Sequence, residues 1–405
     1  MAGIPAESLA ELAPCDLEEV GRLVDLGILR PDEDGLYAPS DVHVVRLMAA
    51  FERTGIDLRH VGRGMAEGTF QYPLGLFMPP PGAIVGTYAE LADRLGRSPE
   101  LLRRLSTELG VPPRADDRVR DEDAEIIELL LTTLDVAEDD ELSRFARLYG
   151  GTLQRLVTAG LQFFDRTFRA RAEALELPVE ERDRWVYERG GAYTELVQRI
   201  VPWLQRRNRE HVLLQYLVGL TEGWMEERGI AAPPPRKPPA IAFLDLTGYT
   251  ALAEDRGDEA AAEVAAALAG IVQRAAAAHG GRPVKWLGDG VMFHFDESAG
   301  AVRCGLHLVE EAERRISVPA RIGINAGAVI VQEGDYFGRT VNVAARIADY
   351  AQPREVLVSE EARASAETTD VEYELVGDVA LKGVSRLVRV HRAARAPAGR
   401  GSAGA

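Results

Sequence analysis

The chain has 405 residues, 46% of them hydrophobic and 27% charged, with a formal net charge of −17. That length holds two or three domains with cores of their own, and the composition is that of globular protein rather than of a disordered chain. The acidic balance argues against a surface built to coat nucleic acid or anionic lipid. The opening MAGIPAESLAELAPCDLEEV carries early acids and no basic run, so no signal peptide is expected, and no stretch reads as a membrane span. Cys15 and Cys304 lie far apart and form no metal-spaced pair, which fits reduced thiols in a cytoplasmic protein.

Residues 1–230 read as an all-α domain. Leu101, Leu102, Leu105 and Leu109 recur at helical spacing, as do Ile126, Ile127, Leu130 and Leu131. A weak internal repeat joins LVDLGILRPDEDGLYAPSDVHVVRLMAAF to RLSTELGVPPRADDRVRDEDAEIIELLLTTL. Each copy has a helix end at Leu-Gly, a polar turn and an Asp-led helix. Residues 16–65 resemble a MerR-type helix-turn-helix, but ten acids stand there against six arginines and no lysine. A net of −4 is the wrong sign for phosphate contact, so a helical regulatory module is preferred to DNA binding. From about Ala192 to Arg228 a long helix is expected, kinked at Pro202. The stretch 231–240, AAPPPRKPPA, has five prolines and reads as an extended linker.

Beyond the linker the pattern becomes α+β. A strand is expected over Ile241–Leu246, an alanine-rich helix over Ala260–His279, and two strands, VKWL and VMFHF, about a Gly288-Asp289-Gly290 turn. A helix over Ala299–Arg315, a strand RIGINAGAVIV and a helix over Thr340–Tyr350 follow. Strands near Glu355–Val358, Val371–Leu375 and Leu387–His391 complete the domain, leaving 392–405 as a disordered tail.

Chemistry concentrates in this half. Asp245 stands inside an apolar strand, where a carboxylate needs a cation, either an arginine or a metal. Asp289, in Leu-Gly-Asp-Gly, reads singly as a turn residue. Together, two carboxylates at the ends of adjacent strands suit two divalent ions over one phosphate. Only Lys237, Lys285 and Lys382 are lysines among the 47 basic residues, so a lysine four residues before Asp289 asks for a reason. Asp335 lies in the turn EGDYFG. Asn342 and Arg346, at i and i+4 on the following helix, leave one face and suit phosphate, to which arginine offers a planar fork.

Residues 241–391 resemble the class III nucleotidyl cyclase catalytic domain throughout. FLDLTGYT and KWLGDGVMF are similar to its two metal motifs, RIGINAGAV to its central strand, DYFGRTVNVAARIADYAQPREVLVS to its base and transition-state segment, and LKGVSRLVRVHR to its closing strand. The resemblance implies a ferredoxin-like α+β fold making cyclic AMP and pyrophosphate from ATP. Asp245 and Asp289 would ligate two Mg²⁺ or Mn²⁺ ions, Asn342 orient the ribose and Arg346 stabilise the α-phosphate. Lys285 and Asp335 match the adenine-reading pair: an ammonium donates to N1 and a carboxylate accepts from the 6-amino group, whereas guanine presents the reverse. Lys382 is the candidate for the triphosphate. The family builds its site between two head-to-tail domains, which implies a homodimer. The layout also resembles actinobacterial soluble cyclases whose N-terminal helical domain regulates the catalytic one, in some members by pH; His43, His60 and His211 fall in this half. A small ligand in that domain is a further expectation. The alternatives are a guanylate cyclase and a DNA-binding regulator with a nucleotide-sensing domain.

Overall fold

The computed structural model describes residues 3–67, 74–230 and 237–397. Most of the proline-rich linker and the end of the tail lie outside them, as does the side chain of His211. The chain divides into two compact units, Met1–Val218 and Gly219–Ala405, so the division falls before the proline-rich stretch.

The first unit starts with α1 (Ala6–Leu12), α2 (Leu17–Asp25), α3 (Asp41–Arg53) and α4 (Leu58–Ala66). After residue 83 come β1 (Ile84–Thr87), α5 (Tyr88–Leu95), α6 (Pro99–Glu108), β2 (Arg118–Arg120), α7 (Asp121–Thr133) and α8 (Asp139–Phe164). The ribbon of β1 with β2 corrects the all-α expectation, although the unit is otherwise helical. Local chemistry sets the boundaries. Asp16 caps α2 by accepting from the Glu19 amide at 2.8 Å, Thr87 and Glu90 form a capping box on α5, and Ser98 with Pro99 opens α6.

The internal repeat extends further than the sequence indicates. Ile4 and Tyr37 form an isolated bridge where β1 pairs β2 in the second copy, and the order extended segment, helix, helix, extended segment, helix, helix occurs twice, about 80 residues apart. Gly27 and Gly110 end the second helix of each copy with φ of 70° and 87°, where a side chain would be strained. Each copy has its own core, one around Leu9, Leu23, Val42 and Met48, the other around Leu91, Leu102, Leu105 and Leu142.

A π-type turn at Asp165–Arg169 and the short α9 (Ala170–Glu173) lead to α10 (Val179–Glu227). It starts earlier than expected and continues past Pro202 as one assigned helix.

The second unit contains β3 (Ala240–Leu246), α11 (Tyr249–Ala278), β4 (Gly281–Leu287), β5 (Gly290–Phe295), α12 (Ser298–Ile316), β6 (Ala320–Ala326), β7 (Ile330–Gln332), β8 (Asp335–Phe337), α13 (Arg339–Tyr350), β9 (Val356–Ser359), α14 (Glu360–Ala366), β10 (Val371–Val379) and β11 (Val388–Arg395). Seven strands form one sheet in the order β10-β11-β9-β6-β3-β5-β4, antiparallel except for the β6–β9 pair. Three expectations shift. The expected strand RIGINAGAVIV is two pieces, because Gly327 at φ 157° ends β6 before the β7–β8 ribbon. The alanine-rich helix begins at Tyr249, with a break at Gly257 (φ 84°). Residues 392–395 belong to β11 rather than to a disordered tail.

Alternation along β3 sorts the layers. Ala240, Ala242, Leu244 and Leu246 pack beneath α11 and α12 with Leu268, Val272, Val302 and Leu308. Ile241 faces the other way, into a cluster with Met292, Tyr336 and Ala344 of α13. The part of α11 from Glu259 to Ala278 is long and apolar enough to cross a membrane, yet its Leu268, Ile271 and Val272 lie in this core.

Candidate active site

Asp245 lies two residues beyond Phe243 on β3, on the face that α13 covers, and its register partner on β6 is Arg321. Directly opposed residues of antiparallel strands share a face, so the two side chains meet. Arg321 donates through Nε at 2.8 Å and Nη2 at 2.5 Å to Asp245 Oδ2, and through Nη1 at 3.0 Å to the Asp349 carbonyl at the end of α13. The partner that Asp245 requires within the chain is therefore an arginine. Sequence reading missed Arg321; its signal is the register between β3 and β6, which appears only once the strand order is known.

Asp289 occupies the β4–β5 turn, with Gly288 before it at φ 69°. Gly290 follows, and a Cβ there would stand 3.9 Å from Asp245 Oδ1 and 3.1 Å from the Leu244 carbonyl. The two carboxylates thus converge at one sheet end. Burial, and next the charge of Asp245, push the Asp289 carboxyl above its ordinary range, while Arg321 pulls it down. Two partly buried acids, with one guanidinium bonded to Asp245 and acting on Asp289 only through its charge, fit an added hard cation. No group of three or more His, Cys, Asp or Glu suited to a metal occurs among the described residues. An ion here would need further oxygens, as Mg²⁺ does when it is shared between carboxylates and phosphates.

Lys285 and Asp335, fifty residues apart, are brought together: Nζ donates to Oδ2 at 2.6 Å. The contact lowers the Asp335 pKa, and Asp335 Oδ1 also accepts from the Tyr336 amide at 2.8 Å. A bulge in β4 makes this geometry. Arg282 pairs His294 and Pro283 pairs Phe293, but Lys285, not Val284, pairs Met292. Without the extra residue Lys285, three positions from Arg282, would point to the opposite face.

Asn342 and Arg346 share the exposed face of α13, while Val343, Ala344 and Ile347 bury the other. Gly323 lets the helix approach, since a Cβ there would lie 2.1 Å from the Ala348 amide nitrogen. Arg346 donates to Asp349 Oδ2 at 2.6 Å; among the described residues Asn342 makes no side-chain hydrogen bond, and neither residue bonds to Asp245 or Asp289. Lys382 is exposed in the β10–β11 turn and is not brought to the others. A cleft of about 510 Å³ opens at the opposite end of β6, lined by Asn325, Arg339, Thr340, Glu360 and Arg389 among others, and none of the seven candidate residues lines it.

Residues 233–392 match the adenylate and guanylate cyclase catalytic domain family, and residues 3–66 the Rv1828-like, C-terminal domain family. The pH-sensitive adenylate cyclase MT1302 of Mycobacterium tuberculosis (strain CDC 1551 / Oshkosh) is 30% identical over 222 residues, covering 52% of this chain and 55% of its own. An adenylate cyclase of Streptomyces coelicolor is 38% identical over 120 residues, 29% of this chain and 32% of its own. The chain therefore spans about half of the first relative's length and about a third of the second's. The crystal structure of the adenylyl cyclase CyaB from P. aeruginosa aligns with 24% identity and a TM-score of 0.37, covering 41% of this chain and 98% of that one.

Proposed function

We propose that the chain, whose residues 233–392 match the adenylate and guanylate cyclase catalytic domain family, converts ATP to 3′,5′-cyclic AMP and pyrophosphate. The observation that carries the choice of ATP is the Lys285–Asp335 contact at 2.6 Å. Its ammonium and carboxylate match the acceptor N1 and donor 6-amino group of adenine and oppose the edge of guanine. Asp245 and Asp289 would hold two divalent ions, Mg²⁺ or Mn²⁺, whose chemistry is to neutralise charge on the phosphates and acidify the ribose 3′-hydroxyl. Arg346 meets the charge that grows on the α-phosphate, Asn342 holds the ribose, and Lys382 is the candidate for the triphosphate. Arg321 keeps Asp245 oriented towards the sheet end.

The site is read as shared between two copies of the chain, with Asp245 and Asp289 from one and Lys285, Asp335, Asn342 and Arg346 from the other. Support comes from α13, whose Asn342 and Arg346 face outward; among the described residues neither bonds to Asp245 or Asp289 of its own chain, and Arg346 donates instead to Asp349. Exposed Trp286, Leu287, Ile330, Val331 and Phe337 beside Lys285 and Asp335 offer an apolar contact surface.

The N-terminal helices are read as regulatory. The alignment to the pH-sensitive relative is longer than the catalytic-domain match, so it extends outside that domain. The test of substrate is direct. Purified chain with Mn²⁺ or Mg²⁺ should cyclise ATP well above GTP, and Lys285→Glu with Asp335→Cys should cost ATP turnover about 1–3 kcal/mol per unpaired polar group. A double variant that prefers ATP as the wild type does would remove the base-reading assignment, and preference for GTP by the wild type would make the chain a guanylate cyclase.

A further inference from the structure

Behind the Lys285–Asp335 contact lies a second set of residues that the reaction does not touch. Tyr336, the neighbour of Asp335 on β8, is buried in the cluster with Ile241, Met292 and Ala344. Its ring stacks on that of His294 of β5, centroids 4.7 Å apart and planes 29° apart. Its hydroxyl accepts a short hydrogen bond from Arg282 Nη2, whose guanidinium carbon stands 5.8 Å from the ring centroid. His294 is itself buried, and burial followed by the charge of Arg282 lowers its pKa, which favours the neutral ring against which Tyr336 lies. Arg282 and Lys285 reach one face of β4 only because of the bulge between Pro283 and Lys285. Successive residues of β8 are thus held by two cations of one strand, Asp335 by Lys285 and Tyr336 by Arg282.

We infer that Tyr336, clamped between Arg282 and His294, is a positioning residue that fixes Asp335 for base selection. The inference rests on the reading of Lys285 and Asp335 as the adenine-reading pair. Asp335 is a half-buried group on a three-residue strand, and among the described residues β8 pairs only with the short β7. Such a ribbon is marginal by itself. The Asp335 carboxylate must nevertheless stand at hydrogen-bond distance from one exocyclic amine, where a displacement of an ångström loses the bond. The Tyr336 amide donates to Asp335 Oδ1, so the backbone that Tyr336 anchors also orients the carboxylate. Tyr336 touches no substrate atom; it acts through Asp335.

The test uses full-length chain and steady-state kinetics with ATP and GTP. Tyr336→Phe keeps the stacked ring and removes the hydroxyl, while Arg282→Met removes the donor from an exposed position that tolerates it. Each single change should lower the ATP-over-GTP ratio of kcat/KM by about tenfold, as for one misaligned hydrogen-bonding group, with most of the loss in the KM for ATP and little in kcat. Melting temperatures should stay near that of the wild type. The double variant should be no worse than either single, because both remove one contact, and Arg282→Lys should recover part of the selectivity. Lys285→Met serves as the control. If it lowers the ratio while Tyr336→Phe and Arg282→Met leave it unchanged, the base-reading pair needs no anchor and the positioning role falls. A loss confined to one of the two singles, or additive losses in the double, overturns the shared contact. If Lys285→Met leaves the ratio unchanged, the base-reading assignment fails and this inference fails with it.

Discussion

Asp289 is held where its charge is disfavoured, by burial and by the neighbouring Asp245. A carboxyl whose folded pKa lies above its unfolded value binds protons more readily in the folded state. Stability contributed by that group therefore grows as pH falls through the folded pKa and is lacking at neutral pH. The metal-free chain should accordingly gain melting temperature in Asp289→Asn, while Mn²⁺ should raise that of the wild type and not of the variant. Calorimetry with and without metal reads both. Cyclase activity should fall on the order of 10²-fold or more in Asp245→Ala and in Asp289→Ala, the scale for losing a charge-stabilising group at a reacting centre. Near-normal rates in either would refute the metal assignment. Asp245→Ala also strands Arg321 opposite it, so Asp245→Asn is the cleaner companion variant.

At the scale of elements, α13 carries Asn342 and Arg346, and where its backbone comes closest to β6 the residue beneath it is Gly323. The Cβ of Gly323→Ala would lie 2.1 Å from the Ala348 amide nitrogen and 2.6 Å from the Ala344 carbonyl, both backbone atoms that cannot turn aside. Overpacking of this kind costs about 1–3 kcal/mol. Melting temperature should drop by several degrees and kcat should fall with it, although the variant touches no catalytic group; an unchanged kcat would mean that α13 placement is not critical. The strands and helices were legible where period and punctuation agree, as in IAFLDL or at Gly288-Asp289-Gly290. The convergence of Lys285 with Asp335 followed from family likeness and is met by a 2.6 Å contact. Arg321 and the Val284 bulge were not legible, because both depend on which strands pair and in what register, and a single strand's alternation says nothing of its neighbour. The β1–β2 ribbon escaped notice because two short strands with a glycine and charged residues carry no apolar alternation. Gly327 divided an apolar run that read as one strand, since its φ and its nearness to Thr340 are tertiary facts.

For the whole molecule, the shared-site reading makes a numerical prediction. Asp245→Ala and Asn342→Ala chains should each be inactive alone. Co-expressed in equal amounts they should recover about a quarter of wild-type activity, because half the dimers are mixed and each mixed dimer has one intact site. No recovery from confirmed heterodimers would place the site within one chain. Regulation is tested by comparing the full chain with residues 235–405 across pH. The shorter chain should stay active with an altered pH profile; identical profiles and rates would leave the N-terminal unit as a scaffold. The duplicated helical module bears on this comparison, since each copy has its own core although Arg114 and Arg118 of the second bond Glu11 and Leu12 of the first.

The sheet order also has a consequence for the nascent chain. Strand β3 lies between β5 and β6, yet it is the first strand of its sheet to be made. Its second neighbour appears only after α11, β4, β5 and α12 have been synthesised. At roughly 5–20 residues per second on the ribosome, an apolar strand waits several seconds with both edges open until β5 is made, and longer with one edge open until β6 is made. A charge within such a segment discourages pairing with other chains. Asp245 is that charge, so the residue proposed to hold the metal would also guard the strand before the site exists.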